Sequence, residues 1–237
     1  MWKLYDTILR SLPETPGISS VYGGEIWTMA ETMDGRIGLA MTTDGSTVPP
    51  MFSAPCPEAV KSWNLPEASG GMAVINACCN TPSRLAVLGC EEPYENYCTD
   101  GLDFCGKTVG IIGHMNMPGD TLRLAKDVFI LERHPQPGDY PDSACEYLLP
   151  KCDVVLITGS SLVNKTLPRL LELSRNACTI VTGPTVPMCP ELLGCGIDRL
   201  AGLVITDPQG IRDHVKLSRF GPPYPYGKTF LLKGDAL

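Results

Sequence analysis

Hydroxyl, amide and glycine residues collect where two apolar segments of the C-terminal half end. The first segment begins at Asp153 and the second at Thr179, and each passes into a more polar stretch. The residues at these ends are Thr158, Gly159, Ser160, Asn164, Gly183 and Thr185. In open parallel sheets, ligands bind beyond the carboxyl ends of the strands. The pattern therefore predicts a ligand-binding site at this edge of a sheet.

A group of acidic and basic residues follows another apolar segment, at 132–139. Glu132 and His134 stand in it beside a guanidinium, Arg133, and a second acid, Asp139. Histidine titrates near neutral pH, and a nearby carboxylate can accept or return a proton. We therefore consider Glu132 and His134 candidate catalytic residues. A surface loop with ordinary charges would explain the same residues.

The turn at 110–114 resembles a phosphate-binding turn because glycines directly follow a strand-like segment. It makes Gly113 and His114 candidate ligand-binding residues, although the third glycine of the dinucleotide fingerprint is absent and the spacing differs. Glu132 follows roughly 20 residues later, where dinucleotide-binding enzymes keep the acid that holds a ribose. A plain glycine turn, with Glu132 paired to Arg133, is the competing interpretation.

Asn164, Lys165 and Thr166 stand at a predicted helix start. There, backbone N–H groups and the lysine could face an anion. Helix capping by Asn164 and Thr166 is the alternative explanation.

The amino-acid composition and net charge argue against several classes of function. The net charge of −7 and pI near 5.0 argue against binding to nucleic acid or to an anionic membrane. No apolar run approaches the ~18 residues that cross a bilayer, and the N-terminus lacks the apolar core of a signal peptide. We therefore expect a cytoplasmic protein.

The cysteine and histidine spacings do not predict a structural zinc site. The chain has eleven cysteines and three histidines, but no C-x-x-C pair and no H-E-x-x-H motif. The odd number of cysteines also argues against a complete disulfide framework. A P-loop and a G-x-S-x-G elbow are absent, so NTPase and serine-hydrolase chemistry have no support.

Hydrophobic periodicity predicts two domains. Residues 1–100 are predicted to form a small α+β domain, and residues 101–237 a doubly wound, mostly parallel α/β sheet. The first domain is predicted to contain a helix at 2–12, a hairpin of strands 19–31 and 36–43, and helices at 58–63 and 67–80. The second is predicted to alternate strands at 108–113, 127–132, 153–159, 178–183 and 200–206 with helices at 141–149, 164–176, 190–194 and 209–217. The proline-rich segment 221–226 is predicted to lie over a neighbouring element.

Several motifs together resemble the heavy-metal chelation family. They are ERHPQPGD (132–139), LLPKCDVVLITG (148–159), VNKTL (163–167), GPTVP (183–187), SWN (62–64) and GMAVINA (71–77). The resemblance spans nearly the whole chain. It implies a Rossmann-like domain joined to an enolase-N-terminal-like α+β domain, with a cleft between them. It also implies that the cleft is lined by Glu132, Thr158, Gly159, Asn164, Thr185 and Asn76.

The resemblance implies a role in metal or anaerobic tetrapyrrole (cobalamin-type) metabolism and leaves the chemistry unassigned. Our leading hypothesis is a protein that binds a small anionic or metal-bearing metabolite in the interdomain cleft. A nucleotide- or S-adenosylmethionine-dependent enzyme and a non-catalytic accessory or sensor protein for metal uptake are the alternatives. The cofactor is unidentified: a divalent metal stays open and a nucleotide is less favoured. We expect a small-molecule or metal-complex ligand, no nucleic acid or membrane partner, and a homodimer.

Overall fold

The computed structural model describes residues 2–14, 17–43, 54–93, 98–115, 117, 120–217, 219 and 221–234. None of the helices within these ranges is long and apolar enough to cross a membrane. The described residues fall into an N-terminal half, up to residue 93, and a C-terminal half, from residue 98.

The N-terminal half is a three-stranded antiparallel sheet with helices packed against it. Its elements, in chain order, are α1 (Trp2–Arg10), β1 (Ile18–Gly23), β2 (Trp27–Thr32), β3 (Ile37–Met41), α2 (Leu65–Cys79) and α3 (Pro82–Val87). The strands pair in the order β1-β2-β3. The small α+β unit is therefore confirmed.

The predicted strand at 19–31 was wrong in one respect. It is two strands, because the chain turns at Gly24, whose N–H donates to the carbonyl of Trp27 at 2.9 Å. The predicted hairpin between β2 and β3 forms, with Gly35 at φ +85° in the turn.

Helix α2 packs very close to the sheet, as its small residues suggest. A Cβ on Gly38 of β3 would lie 2.0 Å from the backbone nitrogen of Ala77. Only glycine allows the strand and the helix to approach this closely. The start of α2 is capped by Asn64, whose side chain accepts the N–H of Glu67.

The C-terminal half is a seven-stranded sheet in the order β10-β9-β8-β7-β4-β5-β6. Its strands are β4 (Thr108–Ile112), β5 (Asp127–Glu132), β6 (Tyr140–Pro141), β7 (Val154–Thr158), β8 (Cys178–Thr182), β9 (Arg199–Ile205) and β10 (Gly227–Lys233). All pairs are parallel except β9–β10. The predicted mostly parallel α/β sheet is confirmed, and β10, which follows the proline-rich segment, is an addition to it.

Two of the predicted helices, at 164–176 and 190–194, need correction, and the α-helices between these strands are short. They are α4 (Cys145–Leu148), α5 (Ser160–Val163), α6 (Leu167–Leu173) and α7 (Pro208–Lys216), with 3-10 turns at 142–144, 149–151 and 190–195. The single helix predicted at 164–176 is instead the pair α5 and α6. The break falls at Lys165, which adopts a left-handed conformation with φ 67°.

One hydrophobic core runs through both halves. It joins Tyr5 and Met72 of the N-terminal half to Leu131, Leu162 and Val186 of the C-terminal half. The Tyr5 hydroxyl also donates to the carbonyl of Leu162 at 2.7 Å. The two halves are therefore packed on each other through this shared apolar core.

Candidate functional site

A cleft of about 750 Å³ opens at the carboxyl ends of β4, β5 and β7. Most of its wall comes from the C-terminal half, and Met41, Thr42, Thr43 and Leu65 of the N-terminal half complete it. Seven predicted site residues line it: Gly113, His114, Glu132, His134, Thr158, Asn164 and Lys165. The carboxyl ends of adjacent parallel strands meet at one edge, which explains why residues so far apart in sequence converge.

Glu132 holds the glycine turn at one side of the cleft. One carboxylate oxygen accepts the backbone N–H of His114 at 3.0 Å, and the other accepts that of Arg133 at 2.9 Å. Gly113 has φ +92°, and a Cβ there would lie 3.1 Å from the side chain of Thr158. The turn therefore requires glycine, and Glu132 fixes its position.

His114 and His134 lie near this turn in different surroundings. His114 Nε2 is 2.7 Å from Asp139 Oδ2, and that oxygen also accepts the backbone N–H of Gln136 at 2.7 Å. The Gln136 N–H and then the His114 ring lower the pKa of Asp139. His134 is exposed at the cleft wall.

Lys165 occupies the left-handed break between α5 and α6, and it is the only non-glycine residue with positive φ in the described ranges. Asn164 holds this break, because its side-chain oxygen accepts the backbone N–H of Thr166 at 3.1 Å and its hydroxyl at 2.7 Å. Asn164 therefore serves as a local cap and also as part of the cleft wall.

Lys165 is half-buried and lines the cleft. Its amine donates to the carbonyl of Val163 at 2.7 Å and lies 5.5 Å from the centre of the Tyr5 ring. Across the part of the chain that the structure describes, no carboxylate lies within 4.0 Å of it. Burial lowers the pKa of Lys165 to about 8.

Two other cations line the cleft, and both have carboxylate partners: Arg133 lies 4.0 Å from Asp142, and Arg169 is paired with two glutamates. Arg169 bonds both oxygens of Glu146, at 2.9 and 2.5 Å, and one oxygen of Glu172 at 2.8 Å. The hydrogen bond from Arg169 also lowers the pKa of Glu146. The hydroxyls of Thr158 and Ser160, 3.2 Å apart, add neutral polar groups to the wall.

Four predicted site residues lie at the junction of the two halves instead of lining the cleft. They are Asn76, Gly159, Gly183 and Thr185. The Thr185 hydroxyl accepts the N–H of Met41 at 2.9 Å, and the Asn76 amide donates to the carbonyl of Leu39 at 2.6 Å. Sheet β1-β2-β3 thus covers the carboxyl end of β8, and these polar groups satisfy the backbone of β3 there.

Gly159 and Gly183 have backbone roles at the same junction. A Cβ on Gly159 would lie 2.7 Å from the Val186 side chain, and Gly183 has φ +120°. Both positions need glycine for packing and backbone conformation.

The predicted interdomain cleft takes its N-terminal wall from residues 41–43 and Leu65 and not from Asn76, and the role of Asn80 was not predicted. The Asn80 amide donates to the carbonyls of Val186 and Leu203, and its oxygen accepts the N–H of Met188 at 2.9 Å. No local pattern marks Asn80, because its partners are more than a hundred residues away.

The described residues form no group of three or more His, Cys, Asp or Glu side chains able to hold a metal ion. The cysteines are free thiols. Cys79 and Cys189, from the two halves, have sulfurs 3.3 Å apart. The hydrogen bond to Cys189 and burial raise the pKa of Cys79, so this thiol stays protonated.

Both halves of the chain match families described as "Putative heavy-metal chelation". Residues 101–224 match DUF364, and residues 5–79 match DUF4213. This chain belongs to the DUF364 family. The resemblance found in the sequence motifs is therefore confirmed.

Similar structures support this membership. A DUF364 family protein of unknown function from Desulfitobacterium hafniense is 33% identical and superposes with a TM-score of 0.85 over 99% of each chain. A DUF364 family protein from Pyrococcus horikoshii is 22% identical, with a TM-score of 0.82 over 98% of this chain and 99% of that one, and shows the same fold.

An uncharacterized protein from Methanocaldococcus jannaschii is 30% identical over 161 residues. The match covers 62% of this chain and 58% of that protein, so this DUF364 chain spans little more than half of that curated relative.

Proposed function

We propose that this protein binds a small anionic metabolite, or an anionic ligand that carries a metal ion, in the cleft between its two halves. The half-buried Lys165 amine, which has no carboxylate partner among the described residues, carries the proposal. A buried charge without a counter-charge destabilises the empty protein. An anion in the cleft would supply that counter-charge.

The remaining groups of the cleft suit a ligand rich in oxygen atoms. The hydroxyls of Thr158 and Ser160 can donate hydrogen bonds, while the pairing of Arg169 with two glutamates removes a competing cation. The volume of about 750 Å³ lies within the range of small-molecule sites. Lys165 is thus the charge that selects an anion, and the hydroxyls orient it.

A metal ion would enter this cleft with most of its ligands already attached. The described residues form no three-ligand cluster, so the protein can add at most a few donors, such as the rings of His114 or His134. Metal complexes with several carboxylates, such as metallated tetrapyrrole acids and corrinoid acids, combine a metal with negative charge. They are the ligand class that agrees best with the family description and with Lys165.

The test is isothermal titration with separate probes: Co²⁺ alone, citrate, the Co²⁺–citrate complex, uroporphyrin and hydroxocobalamin. We expect at least one carboxylate probe to bind. Lys165→Met should weaken this binding about 10- to 100-fold, because a hydrogen bond to a charged group contributes roughly 1.5–3 kcal/mol. The exposed Lys151 provides a matched control, and Lys151→Met should bind as the wild type does.

Two results would contradict the proposal. One is that none of the anionic probes binds in the titration. The other is equal weakening by the Lys165 and Lys151 substitutions, which would indicate a general charge effect.

The nucleotide alternative is less well supported by the geometry. In dinucleotide-binding enzymes the strand-end acid binds the ribose, whereas both carboxylate oxygens of Glu132 here accept backbone N–H groups. A non-catalytic sensor would use the same cleft, and recovery of the bound probe unchanged after long incubation would favour it.

A further inference from the structure

We infer that Lys165 is a carbonyl-reactive amine that forms an imine with an aldehyde or ketone group of the ligand. The inference rests on the proposed anion site and adds a chemical class: the ligand carries a carbonyl next to its negative charge. Nothing in the family description assigns a nucleophile to this protein.

The backbone conformation at Lys165 is strained and is held by its neighbours. A left-handed conformation costs a non-glycine residue about 1–2 kcal/mol, and such strain persists only where the surroundings enforce it. Here the side chain of Asn164 bridges the break, and helices α5 and α6 flank it. Glycine would relieve the strain, so the position gains nothing from lysine except its side chain.

The surroundings of Lys165 also leave its amine available for reaction. No described carboxylate stabilises the ammonium form, and burial lowers the pKa to about 8. Near pH 7.5, roughly a quarter of the Lys165 amine is then neutral, against about one part in a thousand for an ordinary lysine. Desolvation of this kind is how lysine nucleophiles are activated.

The reaction requires no oxidant or reductant. The nitrogen lone pair forms a C–N bond as the carbonyl π bond breaks, and a proton moves from nitrogen to oxygen to give a carbinolamine. Departure of the hydroxyl group as water, with a proton supplied from the cleft, leaves a protonated imine. The Thr158 and Ser160 hydroxyls line the same cleft and can relay these protons.

The ring of Tyr5 favours the cationic product. Its centre lies 5.5 Å from the Lys165 nitrogen, and an aromatic face attracts a cation at this distance. The Tyr5 ring is itself fixed, because its hydroxyl donates to Leu162 and its side chain is fully buried.

The experiment uses the full chain with pyridoxal 5′-phosphate or glyoxylate, followed by borohydride reduction and peptide mass mapping. Glyoxylate is so small that a failure to label Lys165 could not be explained by steric exclusion from the cleft. Labelling at Lys165 should be at least about tenfold faster than at Lys151 in the same molecule, because the Lys165 amine is desolvated whereas Lys151 is exposed. This comparison needs no substitution, so misfolding of a variant cannot obscure it.

Two further measurements separate imine formation from anion binding. Pyridoxine 5′-phosphate has the phosphate without the aldehyde, and it should slow the labelling of Lys165. Lys165→Arg keeps a positive charge without a nucleophilic amine, so it should bind pyridoxine 5′-phosphate but give no adduct at this position.

Equal labelling of Lys165 and Lys151 by both aldehydes would overturn the inference. If pyridoxine 5′-phosphate binds in a Lys165-dependent manner while no adduct forms, imine formation is refuted and the anion site stands. If Lys165 labels rapidly but no anion binds, the amine is reactive and the proposed function fails.

Discussion

Replacing Lys165 with Met should change how the stability of the empty protein depends on pH. In the wild type the lysine is protonated in both the folded and unfolded states below about pH 8, and the folded state then bears the full penalty of burying the charge. Between about pH 8 and 10.4, the unfolded chain holds this proton and the folded protein does not. Wild-type stability should therefore rise with pH across this window, relative to Lys165→Met.

The size of this effect follows from the lowered pKa. A fall from 10.5 to about 8 corresponds to at most ~3.4 kcal/mol, at 1.36 kcal/mol for each pH unit. Because the side chain stays partly exposed, solvent screening reduces the expected value to about 1–2 kcal/mol. Loss of the hydrogen bond to Val163 adds an offset that changes little with pH, so only the pH-dependent part of the difference is diagnostic.

Urea denaturation of the wild type, Lys165→Met and Lys151→Met near pH 7 and near pH 10 measures this difference. Other thiols and phenols titrate alike in the three proteins and cancel in the comparison. A gap between wild type and Lys165→Met that is constant with pH, or one equal to that of Lys151→Met, would refute the description of Lys165 as a desolvated amine.

Three further substitutions test contacts that the fold creates. Glu132→Gln should speed hydrogen exchange at the His114 amide and lower stability by about 1 kcal/mol, because one backbone N–H loses its acceptor. An unchanged exchange rate would count against this contact. Glu31→Gln should lower the free energy of unfolding by about 1 kcal/mol near pH 7, since the hydrogen bond from Arg212 lowers the pKa of Glu31. In urea titrations this difference should vanish as the pH falls through that lowered pKa, below the ordinary value near 4.3. Asn80→Ala should destabilise the protein by about 3 kcal/mol in chemical denaturation, because it leaves three buried backbone groups without a partner, and a loss under 1 kcal/mol would contradict that role.

The strands of the larger sheet were predictable because each is a short apolar run bounded by polar and glycine residues. Burial on both faces of a parallel sheet requires such runs, so composition alone marks them. Strand β10 was missed because it follows a proline-rich segment and carries Lys228 and Lys233 on either side of its short apolar centre. Its position comes from antiparallel pairing with β9, which is a tertiary contact.

The helix break at Lys165 illustrates a limit of local patterns. Asn164 and Thr166 are ordinary helix-start residues, and the periodicity of 164–176 suits one helix. The structure uses the same residues to hold a left-handed turn between two short helices. Local capping chemistry was recognised correctly, but the conformation that it stabilises was decided by packing against Tyr5 and the strand ends.

The sequence by itself determined the fold class and the edge of the sheet where the cleft opens, since strand ends and their polar residues follow from hydrophobic patterning. Tertiary structure decided which of those residues face the cleft. Thr185 and Asn76 turn to the backbone of β3, while Lys165 lies in the wall with no carboxylate partner among the described residues. The physical reason is that β3 bonds to the segment after β8, whereas at the ends of β4, β5 and β7 the N-terminal half only lines the edge of an open cleft. Burial and pairing of a polar group depend on that docking, and no local sequence pattern contains it.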